Sequence, residues 1–196
     1  MGLRAIGHVE TLPAAARLFK LTHGDPWKGT PDCVQMVDPD LPHKTLLLRC
    51  QKAPDVENFP DDLPLFDQPE FEKFPAWKNL VARARKLIFA DPWLREQLDA
   101  SAPLGRVVVS VLAPKSLMTP HKDIGDYAKK HLRFHIPVVT NPHCTLYAGN
   151  MQAHIPVGLL TWIDVLELHW AANWAAAGSR SHVIFELRRR DAGGDE

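Results

Sequence analysis

The residues of this 196-residue chain best suited to chemistry crowd into one stretch. Residues 119–138, TPHKDIGDYAKKHLRFHIPV, hold three histidines, two aspartates and an arginine before the text turns apolar. If the backbone there is extended, the side-chain period of two puts His121 and Asp123 on one face and Lys122 on the other. An imidazole nitrogen and a carboxylate oxygen can then share an ion. The same letters also read as a turn in which Asp123 bonds its own backbone. Two ligands hold a redox metal poorly, so a third would have to come from a neighbouring strand of a closed β structure. His169, in DVLELHWAAN, is the candidate. Two histidines and one carboxylate on one side of an ion leave its other positions open, an arrangement that suits non-haem Fe(II) and O2.

Activation of O2 by such an ion calls for an electron source. A keto acid with two carboxylates can chelate the metal at one end while a protein cation grips the other. Arg180, in GSRSHVIFEL, stands eleven residues after His169 and opens an apolar strand pattern. A basic side chain buried there would be unfavourable unless it met an anion, and its planar fork matches a carboxylate in two-point fashion. The plain alternative is an arginine at the exposed end of a strand, paired with Glu186 or with water.

These residues need elements to position them. Beyond Gly105 the segments RVVVSVL, RFHIPVV, CTLYA, GLLTWIDV and SHVIFELR are short, rich in β-formers and separated by Pro, Gly and Asn. A string of strands without helices between them predicts a sandwich, a jelly roll or a barrel. Before Gly105 the text differs. Prolines 54, 60, 64, 69 and 75 make residues 52–75 a loop, and its Phe59, Phe66, Phe71 and Phe74 would suit a lid or a packed cover. From Pro75, the residues Trp77, Leu80, Val81, Ala84, Leu87 and Ile88 recur at helical spacing, and Asp91-Pro92 reads as the cap and first residue of a second helix. The expected organisation is one domain over 1–190, with 1–104 as a helical and loop support, 105–190 as the core and 191–196 as a mobile tail.

Composition narrows the partners. The 23 Lys+Arg balance the 23 Asp+Glu, so no basic field draws the chain to nucleic acid. No stretch of about 18 apolar residues and no apolar leader is legible, which predicts a soluble cytoplasmic protein without membrane attachment. Cys33, Cys50 and Cys144 are few, odd in number and far apart, fitting neither a disulfide framework nor a thiolate metal site, so they read as reduced thiols.

Taken together, SVLAPKSLMTPHKD, LRFHIPVVTNP, WIDVLELHWAAN and RSHVIF, spread over residues 107–187, resemble the aspartyl/asparaginyl β-hydroxylase family of 2-oxoglutarate- and Fe(II)-dependent dioxygenases, which includes bacterial proline hydroxylases. The resemblance implies a mainly β fold with N-terminal helices, a cupin-like double-stranded β-helix or jelly roll. It implies His121, Asp123 and His169 as metal ligands and catalytic centre, and Arg180, assisted by the Ser110 hydroxyl, as the grip on the distal carboxylate of 2-oxoglutarate. His135 and Arg133 share a strand face. By the resemblance, His135 contacts the metal-bound end of the co-substrate, and Arg133 meets the co-substrate or the substrate's own carboxylate. Fe(II), 2-oxoglutarate and O2 are the implied cofactors. The implied substrate is amino-acid-like, free, peptidyl or on a carrier protein, and hydroxylated with release of succinate and CO2. Family members that act on protein side chains can carry Gly at the carboxylate position, whereas Asp123 is present here. That places the chain with the complete-triad bacterial enzymes and argues against halogenation. The link HWAANWAAAGSR is richer in Ala and slightly longer than the family's usual one.

The competing readings are a jelly-roll metal-binding or sensor module without oxidative chemistry, and a metalloenzyme that does not use 2-oxoglutarate. Arg180 discriminates against the first, since a metal module needs no buried cation above the site, and binding of 2-oxoglutarate discriminates against the second. Of the other polar residues, His182 should share the face of Arg180, and Asn173 and Asp164 read as turn formers or ligand supports. His131, His143 and His154 read as solvated. Trp27, Trp77, Trp93 and Trp174 read as packing residues.

Overall fold

The computed structural model describes residues 2–14, 43–49 and 75–190. The proline-rich segment up to residue 74, Trp27, Cys33, Cys50 and the tail 191–196 lie outside these residues. Within them the chain order is β1 (Leu3–His8), β2 (His43–Arg49), α1 (Pro75–Ala90), α2 (Pro92–Gln97), β3 (Leu104–Leu112), β4 (Ser116–Leu117), α3 (Asp126–Lys130), β5 (His131–Val139), β6 (Cys144–Ala148), β7 (Met151–Ala153), β8 (Leu159–Ile163), β9 (His169–Asn173) and β10 (Arg180–Arg188). The expected strands are present as β3, β5, β6, β8 and β10. β1 and β2 are strands within a region expected to be helix and loop.

Two antiparallel sheets form the jelly roll, a larger one in the order β1-β8-β5-β10-β3-β2 and a smaller one in the order β4-β9-β6-β7. Strand alternation gives the larger sheet two unlike faces. One face carries Val107, Val109, Leu132, Phe134, Ile136, Val183, Phe185 and Leu187, all buried against α1 and α2. α1 supplies Trp77, Leu80, Val81, Ala84 and Ile88 of the predicted stripe to the same core, with Leu87 partly buried against it, and α2 adds Leu94. Asp91 caps α2, its Oδ1 accepting from the Leu94 N–H at 3.1 Å, with Pro92 in the first turn. Its other oxygen takes the Arg4 guanidinium at 2.8 Å, which ties edge strand β1 to the helices. Trp93 packs edge-on against Trp162 of β8, with centroids 5.0 Å apart. Trp174 departs from expectation, being 58% exposed just after β9.

The second face looks into the space between the sheets. There Leu112 and Ile163 of the larger sheet meet Leu146, Ala148 and Ala171 of the smaller in a second apolar cluster. The remaining inward positions of β3, β5 and β10 are mostly polar. Register places Ser110 opposite His182, His135 opposite Ile184, and Arg133 opposite Glu186. A β-bulge opposite the step from Phe185 to Leu187 adds a residue to β3 beside Arg106. Gly105 leaves room at this bulge for Tyr127, because a Cβ there would stand 2.5 Å from its hydroxyl and displace it.

Candidate active site

The stretch from Thr119 to Asp123 runs beside β9. His121 and His169 form an isolated antiparallel bridge in which each backbone N–H donates to the other's carbonyl, at 3.1 and 2.8 Å. This paired backbone places the imidazoles side by side, with ring centroids 4.3 Å apart. The Asp123 N–H donates to the Val165 carbonyl at 2.9 Å, so the carboxylate is carried back toward the two rings. One Asp123 oxygen, Oδ1, lies 3.5 Å from His121 Nε2 and 3.9 Å from His169 Nε2. The three ligand atoms lie within 4.8 Å of one another, so a single ion can reach all of them.

The tautomers follow from the neighbours. His121 Nδ1 is 2.7 Å from the Thr119 carbonyl, and His169 Nδ1 is 3.0 Å from the Glu167 carbonyl. A carbonyl can only accept, so both Nδ1 atoms carry a proton, and Nε2 of each ring is the atom turned to Asp123 and available to ligate. Burial, together with the adjacent His121, lowers the pKa of His169 and favours the neutral imidazole that a metal requires. Two imidazole nitrogens and one carboxylate oxygen, with no thiolate, form the donor set that suits non-haem iron.

Beside this cluster lies a cavity of about 380 Å³, within the range of small-molecule sites. His121, His169, Ser110, His135, Arg133 and Arg180 all line it. The sequence-derived candidates from five separate segments are therefore brought to one place. Arg180 is only 2% exposed, and no carboxylate lies beside it among the described residues. Its partner is His182, whose Nδ1 accepts from Nη2 at 2.9 Å. Burial draws the arginine down to about 10, so it still carries its charge at neutral pH. His182 lies well below the ordinary histidine range because of burial and then the neighbouring Arg180, so it stays neutral and acts as acceptor. His135 lies 3.4 Å from the same Nδ1 and is held neutral by burial and by the charge of Arg180. The Ser110 hydroxyl is buried with no hydrogen-bond partner among the described residues. A buried cation without a carboxylate beside it and a buried hydroxyl without a partner among the described residues, on one wall, are the complement of an anion.

Arg133 reaches the cavity but spends its donors on protein groups. Nε and Nη2 donate to Glu186 Oε1 at 2.9 and 2.7 Å, and Nη1 lies 2.6 Å from Asp123 Oδ2. Glu186 also takes Arg106 in two-point fashion, both distances 2.9 Å. Burial alone would raise the Glu186 pKa, but Arg133 and Arg106 hold it at about 2. Sequence reasoning missed Arg106 and gave Glu186 no role beyond a possible partner of Arg180. Counting by twos from Ser110 and from Arg180 would have put both on the pocket face.

Asn173, expected as a turn former or ligand support, is fully buried, and its Nδ2 donates to the carbonyls of Leu112 and Gly178 at 3.2 and 2.9 Å. It fastens the Ala-rich link between β9, which carries His169, and β10, which begins at Arg180. Asp164 Oδ1 accepts from the Leu166 N–H at 3.3 Å and forms a turn. His131 stacks on Tyr127 with centroids 4.0 Å apart, and His154 Nδ1 lies 3.0 Å from the Cys144 carbonyl, so neither is simply solvated.

A two-sheet jelly roll with this donor set at its mouth defines the class of 2-oxoglutarate- and Fe(II)-dependent oxygenases. The comparisons agree. Residues 71–190 match the family model described as aspartyl/asparaginyl beta-hydroxylase, and the chain belongs to that family. The match reaches beyond 107–187 to take in both core helices. Among curated protein sequences none matches. Solved structures with a similar fold include a Pseudomonas putida prolyl-4-hydroxylase, 12% identical, with a TM-score of 0.54 over 96% of this chain and 93% of that one. The viral collagen prolyl hydroxylase of Paramecium bursaria Chlorella virus-1, in complex with 2-oxoglutarate, is 9% identical, with a TM-score of 0.57 over 96% of each chain. HygX of Streptomyces hygroscopicus, with nickel and 2-oxoglutarate bound, is 13% identical, with a TM-score of 0.51 over 95% of this chain and 82% of that one. No described helix is long and apolar enough to cross a membrane.

Proposed function

We propose that this chain hydroxylates an amino-acid unit, free, peptidyl or held on a carrier protein, using Fe(II), 2-oxoglutarate and O2. The observation that carries this reading is Arg180, a fully buried guanidinium on the cavity wall with no carboxylate beside it among the described residues. A metal-binding module has no use for such a cation, whereas a co-substrate with a second carboxylate needs one.

His121 and His169 would hold the metal through Nε2, and Asp123 through Oδ1. Arg180 would meet the distal carboxylate of 2-oxoglutarate, with the Ser110 hydroxyl as a second donor. His135, on the neighbouring strand, would face the end of the co-substrate nearer the metal. When bound, Fe(II), 2-oxoglutarate and O2 supply the oxidation: a substrate C–H becomes C–OH, one oxygen atom enters succinate, and CO2 leaves. The chain's own contribution is placement and exclusion. Carbonyl-fixed tautomers keep both Nε2 lone pairs turned to the ion. The His182 imidazole orients the Arg180 fork, and the apolar Val108, Leu146, Ala171 and Ile184 keep the cavity dry. Prolyl hydroxylation in two of the structural neighbours supports an amino-acid unit as substrate.

Anaerobic titration of the Fe(II)-loaded protein with 2-oxoglutarate tests the reading through the visible charge-transfer band of the chelate. The expected result is a band in wild type that needs far more ligand in Arg180→Ala. Absence of a band with iron demonstrably bound would reject the co-substrate and leave a metal-binding module.

A further inference from the structure

A chain of four alternating charges crosses the wall of the site. It runs from Arg106 to Glu186, from Glu186 to Arg133, and from Arg133 to Asp123, with contacts of 2.9, 2.7 and 2.6 Å. It is enclosed for most of its length: the Glu186 side chain is 5% exposed, Arg133 15% and Asp123 22%. Its last contact divides the Asp123 carboxylate. Oδ1 faces the two Nε2 atoms, and Oδ2 is taken by Arg133.

We propose that Arg133 is a positioning residue for the metal site. It pins the far oxygen of Asp123 so that the carboxylate offers the ion one oxygen only, and Glu186 in turn holds Arg133 in place. This deepens the metal-site reading given above and rests on it, but it departs from the expectation that Arg133 binds a carboxylate of co-substrate or substrate.

Three features carry the assignment. The geometry is two-sided, because the guanidinium reaches Glu186 through Nε and Nη2 and turns Nη1 to Asp123. A planar fork can do this and an ammonium cannot. The charges balance locally, since two arginines meet two carboxylates, so Arg133 is not a spare cation waiting for an anion. Arg180 is, because among the described residues it hydrogen-bonds a neutral imidazole and has no carboxylate partner. The strand register also fixes the pair, with Arg133 directly opposite Glu186 on β10. Support of this kind for a ligand is worth roughly 10- to 100-fold in metal affinity.

The test is a titration of the full chain with Mn(II), without co-substrate, following free Mn(II) by electron paramagnetic resonance. Arg133→Met is expected to weaken Mn(II) binding by about 10- to 100-fold. At saturating Mn(II), its Kd for 2-oxoglutarate is expected to stay within about threefold of wild type. Arg106→Met, one contact further from Asp123, should bind Mn(II) within about threefold of wild type, because Glu186 keeps Arg133. If Arg133→Met does not fold, Arg133→Lys replaces it; its single point charge cannot span both carboxylates and should also weaken Mn(II) measurably. Unchanged Mn(II) affinity in the folded Arg133 variant, or a loss confined to 2-oxoglutarate, overturns the proposal and returns Arg133 to carboxylate binding. A wild type that binds Mn(II) but not 2-oxoglutarate would instead defeat the dioxygenase reading and leave this one standing.

Discussion

The two faces of the larger sheet are built from the same strands and could hardly differ more. On β5, Leu132, Phe134 and Ile136 are buried beneath the helices, while Arg133 and His135 point into the cavity. On β10, Val183, Phe185 and Leu187 face the helices, while Arg180, His182 and Glu186 face inward. The helix face gains from each apolar side chain it removes from water. The cavity face carries desolvated charge, and there burial is a cost that only good pairing offsets. A period of two thus lets one strand serve both ends, and the surplus of the first face sustains the second.

The contrast predicts that changes to the two faces fail in different ways. On the cavity face the largest effect on activity is expected from Asp123→Ala. Succinate formation with 2-oxoglutarate should fall to background while the melting temperature moves by no more than about 2–4 °C, the equivalent of roughly 1 kcal/mol. Full activity in that variant would remove Asp123 from the ligand set. On the helix face, Phe134→Ala should cost about 3–5 kcal/mol in denaturant unfolding. Phe134 is fully buried and stacked on Phe185 at 5.3 Å. The fraction that remains folded should bind 2-oxoglutarate as wild type does. A weakened co-substrate affinity with little loss of stability would mean that the two faces are not separate.

The same contrast explains what the sequence discloses. Apolar runs with alternate polar letters reveal β3, β5 and β10, because burial on both faces leaves a strong pattern. LRAIGH and HKTLLLR do not declare themselves, because edge strands owe their pairing to β8 and β3 rather than to their own letters. His121 and Asp123 are legible as a local spacing, and Arg180 as a charge opening an apolar strand. The Arg106–Glu186 pair is 80 residues apart in sequence, so no local spacing announces their contact. The alternation itself was a usable signal for both residues.

Arg180 is where the cost of the cavity face should be measurable. A buried cation that has no carboxylate partner among the described residues destabilises the ligand-free fold, so Arg180→Met should raise stability in the absence of metal and 2-oxoglutarate by about 1 kcal/mol or more. The same change should raise the Kd for 2-oxoglutarate by at least about 30-fold, corresponding to roughly 2 kcal/mol for a lost buried charge partner. Destabilisation of the ligand-free protein would mean that Arg180 has a structural anion and is not held in reserve for a ligand.

The smallest effect comes from the imidazole behind it. His182 lies well below the ordinary value of 6.5, first through burial and then through Arg180, and His135 is lowered in the same way. Below about pH 6.5 the unfolded chain binds protons at these positions that the folded chain refuses, so stability is present above that pH and lost as pH falls. Each histidine contributes a slope of about 1.4 kcal/mol per pH unit in that range. In His182→Asn the side-chain oxygen can still accept from Arg180, but the proton uptake is gone. The expected result is a slope between pH 6 and 5 shallower by about that one-proton amount, with stability near pH 8 almost unchanged. An unchanged slope would show that His182 protonates in the folded state, and a protonated ring could not accept from Arg180. The orientation of the guanidinium would then need another explanation.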